Sequence, residues 1–103
     1  MIRFRRRPFV DLVERQLRLF AGEQVGLFHD CDAALRAYNA APAEEAEERY
    51  GDFLDLVATG QDLLEEVRDT YAESLSDPAV EEYREVFNER ARKRFPRLAL
   101  ELD

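Results

Sequence analysis

An unbroken series of apolar positions, spaced three and four residues apart, constrains the fold of this chain more than any other feature. The series runs from residue 10 to residue 41, and Gln24 is its one polar member. Its members are Val10, Val13, Leu17, Phe20, Gln24, Leu27, Cys31, Ala34, Tyr38 and Ala41. This spacing puts the side chains on one stripe of an α-helix and is typical of helices that pair as a coiled coil. The sequence therefore predicts a long first helix over about 9–40.

A second series with the same spacing predicts another long helix, over about 43–74. Its members are Ala46, Tyr50, Phe53, Val57, Gly60, Leu64, Val67 and Tyr71. Pro42 separates the two helices, since proline is tolerated in a first helical turn but not inside a helix. A turn at Pro42 makes them an antiparallel hairpin whose register places Gln24 opposite Gly60. We interpret this pairing as packing, in preference to a break in the second helix at residues 58–60.

Pro78 restarts the chain and predicts a third, shorter helix over about 78–94. Its apolar stripe is Val80, Tyr83, Val86, Phe87 and Ala91. A chain of 103 residues is long enough for one domain and too short for two. We therefore predict an all-α bundle that forms a single domain over 1–103. It has a basic N-terminal arm at 1–7 and a short C-terminal tail at 96–103.

Both long helices carry more apolar side chains than one line of contact uses. The third helix is about half as long and covers only part of the hairpin, which predicts four apolar residues without an intrachain partner. This candidate interaction patch consists of Phe28, Leu35, Leu54 and Leu56. A homodimer that buries two hairpin tips is the simplest solution. The alternatives are binding of an unidentified partner protein, a monomer whose C-terminal tail folds over the patch, and a patch partly left in water.

The chain lacks the residue patterns of common catalytic and metal sites. His29 is its one histidine, and with Asp30 and Asp32 it supplies at most three surface ligands for a metal ion. Cys31 occupies a position on the apolar series, which favours a buried, unreactive thiol. No glycine-rich phosphate loop or nucleophile, histidine and carboxylate set can be assembled. We therefore expect no enzyme activity, catalytic residue, metal, cofactor or small-molecule substrate.

Positive charge is concentrated at the two ends of an otherwise acidic protein with a formal charge of −8. The candidate basic contacts are Arg3, Arg5, Arg6, Arg7, Arg90, Arg92, Lys93, Arg94 and Arg97. They are expected to pair with acidic residues of the same chain or of a second copy. Nucleic-acid binding is less favoured, because the acidic body opposes it and a 17-residue third helix separates the clusters by about 25 Å. A membrane contact through the nine-residue segment MIRFRRRPF is weaker still.

These features together predict a non-enzymatic helical interaction or structural module that self-associates through its surplus apolar faces. The alternative is a nucleic-acid-associated regulator that uses the arginine-rich ends.

The sequence also favours a cytoplasmic protein. The chain has a single cysteine and only short apolar runs, and charged residues interrupt its N-terminal apolar segment. Fourteen arginines against one lysine, with many alanines, are typical of a GC-rich bacterial genome.

Overall fold

A computed structural model describes residues 7–103, which form an all-α bundle with no strand in that range. The helices are α1 (Val10–Glu23), α2 (Val25–Ala40), α3 (Ala43–Ala72), α4 (Ala79–Arg94) and α5 (Pro96–Ala99). The predicted fold class is confirmed, and the long hairpin and the shorter helix after Pro78 lie close to their predicted bounds. The bundle is elongated, with extents of 61 × 32 × 21 Å.

The first predicted helix is two helices that meet at Gln24. The backbone of Gln24 has φ −105° and ψ 26°, outside the helical range. Its N–H still donates to the carbonyl of Phe20 at 2.9 Å, and its carbonyl accepts from the N–H of Phe28 at 3.1 Å. The chain therefore bends without losing its hydrogen bonds. The bend lets α1 pack chiefly on α4 while α2 packs on α3.

The contact between α1 and α4 is centred on Tyr83, which has no exposed surface. Its hydroxyl donates to the side-chain oxygen of Gln16 at 2.9 Å, and the Phe9 ring meets its ring edge-on at 5.6 Å. Burial raises the pKa of Tyr83 to about 12, against a smaller opposing effect of the Gln16 hydrogen bond. A neutral, hydrogen-bonded phenol is thus part of the core that fixes α4 against α1.

The C-terminal tail packs into the core at Gly60, where α3 continues without a break. A Cβ atom at residue 60 would lie 2.7 and 2.9 Å from the two δ carbons of Leu98, and 3.2 Å from a δ carbon of Leu27. Leu98, not the predicted Gln24, therefore fills the space left by the missing side chain. The pairing of Gln24 with Gly60 is wrong because the tail was not part of the predicted hairpin.

The close contact at Gly60 makes a prediction for Gly60→Ala. The variant gains about 1 kcal/mol of helix propensity, but overpacking against Leu98 costs about 1–3 kcal/mol. We expect the free energy of unfolding to fall by about 1 kcal/mol, measured by urea denaturation. Gly51→Ala is the matched control on the same helix, because its Cβ would meet no atom within 4 Å. We expect this control to gain about 0.5–1 kcal/mol. Equal stabilisation of both variants would contradict the packing described.

Candidate interaction surfaces

Arg68 on α3 anchors the end of the tail, although arginine is rarely buried to 4% exposure. Its Nη1 donates to the side-chain oxygen of Asn88 and to the main-chain oxygen of Asp103, each at 3.0 Å. Its Nε and Nη2 donate to the two carboxylate oxygens of Asp69 at 2.8 and 3.3 Å. The buried guanidinium is therefore well supplied with acceptors, which is the condition for burying a charge at tolerable cost.

Phe95, the residue that joins α4 to the tail, also covers part of the predicted patch. Phe95 stacks on Phe28 with ring centroids 5.3 Å apart, and it contacts Phe20 at 5.4 Å. Leu35 and Leu56 are partly buried and pack against the core. The expectation that these residues have no intrachain partner is therefore wrong for Phe28, Leu35 and Leu56. For Phe28 the reason is the folded tail, which was one of the alternatives to a dimer.

Leu54 is the member of the predicted patch that stays exposed, and it lies in a larger apolar groove. Three side chains of this groove are strongly exposed: Tyr50 at 44%, Leu54 at 45% and Leu100 at 74%. With Phe53 and Val57 they line a groove of about 520 Å³ between α3 and the tail, called the α3 groove below. It is the largest cluster of exposed apolar residues that lines one cavity in residues 7–103.

Two of the three exposed residues of the α3 groove were not predicted from the sequence. Tyr50 was assigned to the seam between the long helices, and no position was assigned to Leu100. A signal for Leu100 was present in the sequence LALEL. Leu98 and Leu102 are four residues apart and both are buried, so the residue midway between them points to the other side of the turn.

The surroundings of the α3 groove are acidic. Helix α3 carries ten acidic and two basic residues. Asp62 and Glu101 line the α3 groove itself, and Arg97 is the one basic residue among its lining residues. An occupant of this groove must therefore bring apolar side chains, and positive charge at its edge is favourable.

The two basic clusters meet at one carboxylate. Arg7 donates to Glu89 at 2.6 Å and lies 3.8 Å from Glu85, while Lys93 lies 3.6 Å from the other oxygen of Glu89. The hydrogen bond from Arg7 holds the pKa of the Glu89 carboxyl below its usual value. The expected separation of the clusters is wrong at this point, because the long Arg7 side chain reaches along α4. Arg3, Arg5 and Arg6 lie outside the described residues.

The remaining basic residues at the C-terminal end also have partners within the chain. Arg90 and Arg94 lie 3.6 and 3.5 Å from the two oxygens of Glu14 on α1. Arg97 lies 3.2 Å from Asp32 on α2. In addition, Arg92 donates to the main-chain carbonyl of Leu102. These contacts join α4 and the tail to both halves of the first predicted helix.

The described residues offer no evident centre for chemistry. In residues 7–103 no three His, Cys, Asp or Glu side chains are grouped so as to hold a metal ion. His29 is exposed. Cys31 is 4% exposed, and burial raises the pKa of its thiol, so the thiol stays neutral. No helix in this range is long and apolar enough to cross a membrane.

The role of Arg68 as tail anchor predicts the effect of Arg68→Ala. The change leaves Asn88 and Asp103 without their donor, and we expect a loss of about 2–4 kcal/mol in the free energy of unfolding. We also expect faster chymotrypsin cleavage after Leu98 and Leu100, because the tail loses its hold. Arg49→Ala is the control, since Arg49 is exposed and pairs with Asp52 at 3.8 Å; a change within about 0.5 kcal/mol is expected there. Similar losses in both variants would rule out the anchoring role.

The Arg68–Asp69 pair predicts a dependence of stability on acid pH. The hydrogen bond from Arg68 lowers the pKa of the Asp69 carboxyl, against a smaller opposing effect of burial. The pair therefore stabilises the fold above the pKa of an unfolded aspartate, about 3.9, and this contribution is lost as the pH falls through the lower folded value. Asp69→Asn should lose less stability than the unmodified protein between pH 6 and pH 3, measured by urea denaturation. Asp55→Asn, an exposed aspartate on the same helix, should follow the unmodified protein.

Comparison of this chain with protein-family models, with curated proteins and with solved structures finds no match.

Proposed function

We propose that this protein is a non-enzymatic helical interaction module that forms a homodimer through the α3 groove. The observation that carries the proposal is the joint exposure of Tyr50, Leu54 and Leu100 along one groove. Single exposed apolar residues are ordinary in proteins, whereas a contiguous group marks a contact surface. A second copy presents the same three side chains, so a two-fold arrangement covers six of them at once.

Covering the groove contributes apolar burial energy that opposes the entropic cost of forming a dimer. Full burial of one such side chain contributes about 1.5–3 kcal/mol relative to leaving it in water. Tyr50 and Leu54 are already more than half covered and Leu100 about a quarter covered, so each contributes less than this, and the sum over two copies is several kcal/mol. Tyrosine is also enriched among the residues that dominate binding energy at interfaces. Tyr50 already contacts Tyr38 and Phe53, with ring centroids 5.0 and 6.2 Å apart, which fixes its position for such a contact.

The charges around the α3 groove set the salt dependence of this dimer. Asp62 and Glu101 of each copy approach those of the other across a two-fold contact, and like charges repel. Arg97 lies on the same rim and can face the partner's carboxylates. Salt screens the repulsion and leaves apolar contacts in place. A groove-mediated dimer is therefore expected to be tighter at high salt.

The basic ends support a structural role in this proposal. Five described members of the two clusters lie within 4.0 Å of a carboxylate of the same chain: Arg7, Arg90, Lys93, Arg94 and Arg97. The Lys93 pair lies within α4, and the other four join α4 and the tail to the rest of the bundle.

We place the protein in the cytoplasm of a bacterium, on the grounds of its one buried, unpaired cysteine and its arginine-rich composition.

The alternative is a nucleic-acid-associated regulator. Arg7 and Lys93 both contact Glu89, so the two basic clusters border one surface. This proximity supports nucleic-acid binding, which the predicted separation of the clusters had opposed. The intrachain ion pairs oppose it, since each pair has to be exchanged for a phosphate contact. A gel-shift titration at low salt with a mixed-sequence DNA duplex and with single-stranded RNA tests this function, and absence of binding removes it.

The dimer predicts the outcome of light scattering on the full chain. We expect twice the chain mass at low and at high salt, with the tighter dimer at high salt. The Leu54→Gln, Leu100→Gln double variant should raise the dissociation constant by at least about tenfold, because about 1.4 kcal/mol of apolar burial is lost. Leu19→Gln is the control: Leu19 is 55% exposed on α1 and lies outside the α3 groove.

Three results would contradict this assignment. A monomer at every concentration and salt removes the homodimer and leaves the α3 groove to a different partner. A dimer present only at low salt makes the basic ends, not the apolar groove, responsible for association. Equal weakening by Leu19→Gln and by the double variant places the interface elsewhere.

A further inference from the structure

A second concave site lies on the other side of the tail, where the start of α5 crosses α2 and α3. This half-open cleft has a volume of about 190 Å³ and is called the tail cleft below. Its apolar walls are Phe28, Val57, Phe95 and Leu98, and the neutral thiol of Cys31 is a further lining group. It shares Val57 and Arg97 with the α3 groove, but Tyr50, Leu54 and Leu100 do not line it.

The size and walls of the tail cleft fit one aromatic ring. Apolar cavities of about 150 Å³ accommodate benzene, so the tail cleft has room for a ring with a short substituent. Phe28 and Phe95 lie 5.3 Å apart with an interplanar angle of 30°, and both present ring surface to the cleft. Aromatic pairs prefer centroid distances of about 4.5–7 Å and gain more than buried area alone provides. An aromatic occupant is thus favoured over an aliphatic one of equal size.

The charged residues of the tail cleft include a guanidinium that can receive an anion. Arg94, Arg97 and Asp32 line the cleft. Arg94 is itself paired with Glu14 of α1 at 3.5 Å, which leaves Arg97 as the group for an anion. Arg97 is bound to Asp32 at 3.2 Å through side chains that are 56% and 57% exposed. An exposed pair of this kind is worth little and is exchanged readily. The guanidinium of Arg94 lies 5.9 Å from the centroid of the Phe95 ring, at the aromatic wall.

We propose that the tail cleft binds a small aromatic monocarboxylate, with its ring against Phe28 and Phe95 and its carboxylate on Arg97. The ring supplies the apolar contact, and the carboxylate takes the place of Asp32 on a guanidinium that presents several donors in a fixed plane. The neutral thiol of Cys31 acts as apolar lining. The walls of this site come from one chain, so no second copy is needed to form it, although it shares Val57 and Arg97 with the α3 groove.

The first experiment titrates phenylacetate into the isotope-labelled full chain and follows backbone amide signals by NMR. We expect saturable shifts within residues 28–32 and 95–98. Benzyl alcohol is the neutral probe of similar size, and we expect it to bind about fivefold more weakly, the equivalent of one exposed ion pair. No saturable shift with either probe overturns the proposal, and so does equal binding of the two.

Substitutions then separate the two parts of the site. Arg97→Gln should reduce the affinity for phenylacetate about fivefold and leave that for benzyl alcohol unchanged. Arg49→Gln, an exposed arginine with its own ion pair outside the tail cleft, is the matched control and should change neither. Equal effects of the two arginine substitutions overturn the assignment of the carboxylate to Arg97. This comparison alters exposed side chains only, so it does not depend on the tolerance of the core.

A filled cleft gives an independent test. Val57→Phe should abolish binding of both probes while circular dichroism still reports a helical fold, and persistent binding overturns the location of the site. The Leu54→Gln, Leu100→Gln variant should bind phenylacetate as the unmodified protein does. Loss of binding in that variant places the ligand in the α3 groove instead, and contradicts the proposal without bearing on the dimer.

Discussion

The arrangement of the bundle depends on the close approach of Leu98 to α3, which is possible because residue 60 is a glycine. The δ carbons of Leu98 occupy the space that a Cβ atom at this position would need. This contact seats α5, and from there Phe95 reaches the rings of Phe20 and Phe28. A segment of a few residues therefore completes a core that the longer helices leave open. The buried guanidinium of Arg68 holds its far end through the main-chain oxygen of Asp103.

The same tail shapes both the α3 groove and the tail cleft, because some of its residues face the core and others face the solvent. Leu98 and Leu102 are each 2% exposed, whereas Leu100 between them is 74% exposed. Leu100 forms one wall of the α3 groove, and Phe95 with Leu98 forms part of the tail cleft. Core packing and surface recognition are therefore coupled through one short segment. A change that loosens the tail alters the core, the groove and the cleft together.

Most of the helical framework could be predicted from the sequence, because apolar spacing and proline positions act locally. The second helix was expected over about 43–74 and spans Ala43–Ala72, and the helix after Pro78 ends at Arg94 as expected. The bend at Gln24 could not be found in this way. Apolar spacing shows which face of a helix is buried but not which helix covers it, and the series continues unchanged where the partner changes from α4 to α3.

The candidate surfaces were predicted less well, since they depend on contacts between distant parts of the chain. Leu54 was identified, but Phe28 packs on Phe20 of α1 and on Phe95, which adjoins a tail too short to show periodicity. Gly60 was correctly singled out, and the residue that fills its space was not. The charge distribution predicted that the basic residues pair within the chain. It could not show that Arg7 and Lys93 share Glu89, because this contact depends on how far the two side chains extend.

The bend at Gln24 also affects the local stability of the bundle, because the two parts on either side of it differ in the free energy of local unfolding. It divides the bundle into a densely packed part, where α1 meets α4, and a hairpin end formed by α2 and the first half of α3. Cys31 is the one buried residue of α2, whereas α4 contributes five buried residues. Amide protection against hydrogen exchange follows buried packing density. We therefore expect the hairpin end to unfold locally at a lower free energy than the rest of the bundle. The α3 groove lies at the boundary between these two parts.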